Sequence, residues 1–193
     1  MQSGNRGEFQ VSVGPASLLV VWHSRTGASR QLAAAAARGA RESVRQAQAE
    51  SMRQDGTLGA PIGVDCVPAR RVDAQRMCAA SAYLFVAPEN LASLSGVMKD
   101  FFDRTYYGVL ERVAGRAYAV IIAAGSDGQG AVRQVERIAT GWRLKAVAEP
   151  IIVITHAQTT EAILAPKRVS AADLARAADL GAAMAQGLAM GIF

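Results

Sequence analysis

An α/β fold is predicted for this sequence: a five-stranded parallel sheet of order 2-1-3-4-5, covered on both faces by helices as a three-layer sandwich. Three observations carry the prediction. Apolar runs free of charge recur at Ser17 to Trp22, Ser81 to Ala87 and Tyr118 to Ala124, as expected of strands buried on both faces. Segments of helical periodicity separate them, and that alternation implies a parallel sheet with helices on both sides. Small-residue, hydroxyl-bearing or glycine-rich turns follow the runs, where open α/β sheets bind their ligands.

In chain order, Met1 to Pro15 is polar and glycine-bearing, and its Phe9-Val11-Val13 alternation suits an extra edge strand or a loose arm. Residues 1–16 are therefore read as an N-terminal arm and 17–193 as the domain. Ser17 to Trp22 is the first strand. A helix is expected from about Ser29 to Met52, with its alanine stripe inward and Arg38, Arg41, Glu42 and Arg45 outward. Asp55-Gly56 and Gly59-Ala60-Pro61 punctuate its end. Ile62 to Val67 is a weaker second strand, followed by a basic, helix-competent stretch to Cys78. Ser81 to Ala87 is the third strand, expected to stop at Pro88, with Pro88 to Gly96 a loop.

From Gly96 to Tyr107 the chain is amphipathic, pairing Val97 with Phe101 and Met98 with Phe102 at helical spacing. Tyr118 to Ala124 is the fourth strand and Gly125 to Gly130 a flexible turn. A helix follows with Val132, Val135 and Ile138 on one face, stopping at Gly141. Val147 to Thr155 is the fifth strand, which tolerates Pro150 only near its start or at a bulge. His156 to Val169 is a long loop, and the last helix runs from a Ser170 cap, with Asp173 three residues on, to about Met190.

At 193 residues and 51% hydrophobic content the chain suits one globular domain whose core needs no disulfide or metal. Its two cysteines show no metal-type spacing, and no charge-headed signal segment opens the sequence. No apolar run approaches the roughly 18 residues of a membrane span. The expectation is a soluble, cytoplasmic protein with no membrane partner. A net charge of +5 suits anionic ligands. The basic residues are dispersed at spacings of solvated helix faces, without a recognition helix or RNA-binding motif, so nucleic acid is not expected as a partner.

Ser24-Arg25-Thr26-Gly27-Ala28-Ser29 carries the sharpest chemistry. The N-terminus of a helix presents unpaired N–H groups and a partial positive charge, which suit a dianionic phosphate. Ser24, Thr26 and Ser29 add hydroxyl donors, Gly27 permits close backbone approach and Arg25 supplies charge. Ordinary capping by serine and threonine is the alternative reading of this turn. In a 2-1-3-4-5 sheet the segments Ser24 to Ser29, Pro88 to Gly96 and Gly125 to Gly130 are neighbours, forming one pocket. A dinucleotide-binding GxGxxG is absent after the first strand. The GxxxxG spacing of Gly125 to Gly130 lacks the following Lys and Ser/Thr of an NTPase loop. The acidic residues of a phosphorylated receiver are replaced by Trp22-His23.

The Ser24 to Ser29 turn resembles the phosphate loop of flavodoxin-like FMN proteins. Ala87 to Thr105, with its Met98-Lys99-Asp100-Phe101-Phe102-Asp103 pattern, resembles the flavin loop and following helix of the NADPH-dependent FMN reductases and the tryptophan-repressor-binding-protein-like quinone reductases. The resemblance covers roughly residues 17 to 155. It implies a flavodoxin-like fold, with FMN held by Ser24, Arg25, Thr26, Gly27, Ala28 and Ser29. Pro88, Glu89, Asn90, Leu91, Ala92 and Ser93 would lie beside the ring, with Gly125, Ser126, Asp127 and Gly128 as a third wall. It also implies NAD(P)H as co-substrate, a quinone, free flavin or similar small molecule as acceptor, and a homodimer or homotetramer. No catalytic side chain is assigned, because the flavin carries the electron chemistry.

The chain departs from the quinone reductases at Ala92-Ser93, where they usually carry Gly-Asn, and lacks the histidine many of them show in the third loop. Two alternatives stay open: a flavodoxin-type electron carrier, against which the positive charge counts, and a cofactor-free regulatory module on the same fold. Among single residues, Glu89 and Asn90 suit either the flavin edge or a solvated loop. Asp127 suits a turn, His23 a strand end and His156 a loop. Tyr106 and Tyr107 suit a substrate cleft, a subunit contact or plain packing.

Overall fold

Side-chain alternation along the buried strands divides the core into two layers in the computed structural model, which describes residues 15–56 and 61–193. The strands are β1 (Ser17–Trp22), β2 (Gly63–Pro68), β3 (Ala82–Asn90), β4 (Ser93–Leu94), β5 (Ala117–Ala124), β6 (Lys145–Ala146) and β7 (Ile151–Ile154). The helices are α1 (Ala28–Asp55), α2 (Ala74–Ala79), α3 (Gly96–Val109), α4 (Gln129–Gly141), α5 (Thr160–Leu164) and α6 (Ala171–Ala189). The sheet runs β2-β1-β3-β5, with β6 and β7 both on the outer edge of β5. Every pairing is parallel except β3 with β4. With β7 as the predicted fifth strand and β6 a short unpredicted segment just before it on the same edge, this is the expected 2-1-3-4-5 order.

Leu18, Val20, Leu84, Val86 and Ile121 pack with α1 and α6 on one face. Leu19, Val21, Tyr83, Phe85 and Ile122 pack on the other with Met98, Phe101 and Phe102 of α3 and Val132 and Val135 of α4. Phe85 is the hub of the second layer, its ring centroid 5.0 Å from that of Phe102 and 6.3 Å from that of Phe101. Burying each such side chain stabilises the fold by about 1.5–3 kcal/mol. The alanine run of α1 has a second purpose, because α1 and α6 pack against each other as well as against the same face of the sheet. A Cβ at Gly39 would fall 2.1 Å from the Ala178 carbonyl oxygen, and one at Gly181 2.0 Å from that of Ala36. Small residues are what allow the two helix backbones to meet.

Several boundaries differ from expectation. β3 does not stop at Ala87 but continues through Pro88 to Asn90, then folds back as β4, so residues 88–94 form a hairpin rather than a loop. Val86 directs its backbone toward β1, its carbonyl accepting from His23 N–H at 3.0 Å. Pro88, two residues on, faces the same side beyond the end of β1, so its missing N–H removes no ladder bond. The fifth strand, expected from Val147 to Thr155, forms only as Ile151–Ile154, past Pro150, which has no N–H to donate. The expected loop 156–169 contains α5, capped by Thr159 Oγ1 accepting from Ala162 N–H at 3.2 Å. α1 starts one residue early and extends to Asp55, closed by left-handed Gly56. The Ser170 cap forms as read, with Oγ accepting from Asp173 N–H at 3.0 Å. The Phe9-Val11-Val13 alternation lies outside the described residues.

Candidate functional site

Parallel register carries the ends of β1, β3 and β5 to one edge of the sheet. At the end of β1 the chain turns into α1 through Gly27, whose φ of +99° is a left-handed conformation that glycine adopts without the Cβ penalty. Ser24 Oγ accepts from Gly27 N–H at 3.1 Å, closing the turn. The helical ladder opens with Gln31 N–H to Gly27 C=O at 3.1 Å, so the N–H groups of Ala28, Ser29 and Arg30 precede it. No acidic side chain stands in this first turn. Ser29 is 1% exposed, and its Oγ is buried with no hydrogen-bond partner among the described residues. A buried hydroxyl without a partner is costly and marks a place where another group belongs.

His23 links this loop to the next: its Nδ1 lies 2.8 Å from Oγ of buried Ser95, the residue that precedes α3. Burial, then the positive charges of Arg70 and Arg25, hold its pKa below the usual 6.5. The Trp22 to Pro68 register brings Arg70, two residues past the end of β2, alongside. Trp22 itself, partly buried, packs against the α1 side of the core.

Leu91 and Ala92 form the hairpin tip with φ of 52° and 56°, the two left-handed positions of a type I′ turn that Asn and Gly normally fill. Leu91 is fully exposed. Two side-chain-bearing residues in this conformation store about 1–2 kcal/mol each. The Ala92 carbonyl lies so near α4 that a Cβ at Gly130 would stand 2.0 Å from its oxygen. Ser93 Oγ donates to Gln134 Oε1 at 2.9 Å, and the Leu94 N–H donates to the same oxygen at 2.8 Å.

Glu89 is not the solvated loop residue that was one of its two readings. Its carboxylate accepts from Gly128 N–H at 2.8 Å and Ala131 N–H at 3.3 Å, capping α4 and joining the second loop to the third. Asn90 ends β3 opposite Ser93. Ser126 and Asp127 are exposed beyond β5, and His156 is exposed in a left-handed conformation after β7. Tyr106 and Tyr107 form a tilted ring pair with centroids 5.0 Å apart on the outside of α3, Tyr107 being 82% exposed. The three loops therefore meet, and the sequence-predicted residues gather along one open edge. A cleft of about 350 Å³ lined by Ser17, Asp65, Asp73 and Arg76 lies at the opposite, amino-terminal end of β1. It does not share the loop geometry.

The family model described as NADPH-dependent FMN reductase matches residues 22–159, well over half of the chain. The chain belongs to that family. No curated protein sequence matches it. Its fold is similar to oxidised flavodoxin 1 from Bacillus cereus, with a TM-score of 0.65 at 15% identity over 89% of this chain and 98% of that one. It is similar also to a WrbA-like flavodoxin protein from Agrobacterium tumefaciens, with a TM-score of 0.60 at 16% identity over 91% and 98%. Rubredoxin:oxygen oxidoreductase from Desulfovibrio gigas matches at a TM-score of 0.65 and 11% identity, over 93% of this chain and 38% of that larger one. At these identities the structural likeness establishes the fold, and the family match supports an FMN-binding oxidoreductase. In this FMN reductase family member the turn before α1 fits a phosphate, offering an orphaned hydroxyl, free helix N–H groups and no opposing carboxylate.

Sequence reading missed Ser95, Gln134, Gln31 and Lys167 at this edge. No local pattern marks them, since their partners lie 40 residues or more away in the chain for Gln134 and 136 for Gln31.

Proposed function

We propose that the protein is an FMN-dependent NAD(P)H oxidoreductase that passes electrons to a quinone, free flavin or similar small acceptor. The observation that carries this reading is the buried, partnerless Ser29 hydroxyl at the N-terminus of α1, within a family whose model names FMN. Hydride acceptance and electron delivery are chemistry that FMN supplies when bound, while the protein binds, orients and sets the electrostatics. Ser24, Thr26 and Ser29, with the N–H groups of Ala28 to Arg30, would hold the phosphate, and Arg25 adds charge. The Pro88 to Ser93 hairpin and the Gly125 to Gly128 turn would border the ring. Glu89 fixes those two walls to each other, which limits their movement.

Fully exposed Leu91 and the exposed Tyr107 support a homodimer or homotetramer that covers them. Among the described residues no helix is long and apolar enough to cross a membrane, and the free cysteines support a reducing, cytoplasmic setting. The first test is the visible absorption spectrum after FMN addition and desalting, followed by NADPH oxidation with a quinone. Retained flavin bands and steady turnover are expected. Retained bands without turnover favour an electron carrier, and a colourless protein favours a cofactor-free module.

A further inference from the structure

The carbonyl side of the phosphate loop is held by a segment that lies beyond the family-matched residues. Lys167 N–H donates to Thr26 C=O at 2.7 Å. The Gln31 side-chain amide uses both donors and its acceptor here: Nε2 donates to Gly27 C=O at 3.1 Å and to Lys167 C=O at 2.7 Å, and Oε1 accepts from Val169 N–H at 3.3 Å. The 167–169 segment is itself anchored. Lys167 Nζ donates to the carbonyls of Ala162, Ile163 and Ala165 at the end of α5, at 2.6, 3.0 and 2.6 Å. Val169 packs on the α1–α6 core.

We propose that Gln31 is a positioning residue for the phosphate loop, clasping it to residues 167–169 so that its N–H groups stay aimed at an anion. The geometry follows from the peptide unit. In a planar trans peptide the C=O and the following N–H point in opposite directions, so fixing the Thr26 and Gly27 carbonyls fixes the Gly27 and Ala28 N–H groups. Without the clasp, the left-handed Gly27 link keeps only the bonds to Ser24 Oγ, Gln31 N–H and Lys167 N–H, and phosphate binding must order the looser loop, which weakens affinity. This inference rests on the reading of the loop as an FMN phosphate site.

The test compares wild type with Gln31→Leu, which removes all three side-chain bonds, and Gln31→Glu, which keeps only the acceptor for Val169. Equilibrium titration with FMN and with riboflavin, which has no phosphate, is combined with amide hydrogen exchange of the cofactor-free protein. In both variants FMN affinity is expected to fall about tenfold or more, the scale of losing two to three hydrogen bonds. Riboflavin affinity should be unchanged, and Lys167 N–H exchange faster. Equal loss for FMN and riboflavin, or FMN affinity unchanged in both variants, overturns the positioning role while leaving the FMN site standing. A wild-type protein that takes no FMN overturns the site and this inference together.

Discussion

Replacing Ser29 by alanine should move stability and affinity in opposite directions. The Ser29 hydroxyl is buried without a partner, a state that costs about 1–3 kcal/mol in the cofactor-free protein. Alanine also has the better helix propensity. The cofactor-free variant should therefore be more stable by about 1 kcal/mol or more, which for a chain of this size raises Tm by about 2–4 °C per kcal/mol. A hydroxyl bonded to a charged phosphate contributes about 1.5–3 kcal/mol, so the variant should bind FMN about 10- to 100-fold more weakly. Binding linkage then shrinks the gap: FMN at 100 times the wild-type Kd adds about 2.7 kcal/mol to the wild type and much less to the variant. Thermal melts with and without FMN, alongside a fluorescence titration, read both effects. A variant less stable without FMN, or one with unaltered FMN affinity, would refute the assignment of this hydroxyl to the phosphate.

Ala92→Gly should raise Tm slightly, because relieving the left-handed φ of 56° returns about 1–2 kcal/mol while the added freedom of the unfolded chain takes back about 0.5–1; a lower Tm would show that the tip is not strained. Gly39→Ala should destabilise by about 1–3 kcal/mol, since its Cβ would meet the Ala178 carbonyl oxygen at 2.1 Å, whereas Gly141→Ala, facing open space, serves as the control. Equal melting of the two variants argues against the close α1–α6 contact. His23 should titrate below 6.5 by NMR, because burial, Arg70 and Arg25 disfavour its charged form. Between that lowered value and 6.5 the unfolded chain binds more protons, so His23 should make stability fall as pH drops from about 6.5, and His23→Asn should flatten that fall. A midpoint at or above 6.5 would contradict the packing described for it.

The parallel α/β class and the tight turn between the first strand and the first helix were legible in the sequence because each rests on signals within a few residues: uninterrupted apolar runs, helical spacing, and a glycine flanked by hydroxyls ahead of a helix. The helical spacing that set Phe101, Phe102, Met98, Val132, Val135 and Ile138 on inward faces matches the core, with Ile138 only partly buried against it. Tertiary structure decided the rest. Pro88 reads locally as a strand stop, yet β3 passes through it because β1 has already ended on the side its missing N–H faces. Glu89 reads as a loop carboxylate, and only the fold brings the orphan N–H groups of α4, 39 and 42 residues away, within its reach. Gln31 reads as one more polar residue on an alanine-rich helix, and two of its three side-chain bonds exist only because the chain returns 136 to 138 residues later. Local patterns thus determined which elements form and where the chain turns into α1, while the partners that shape the loop edge are set by distances through space that no short window of sequence encodes.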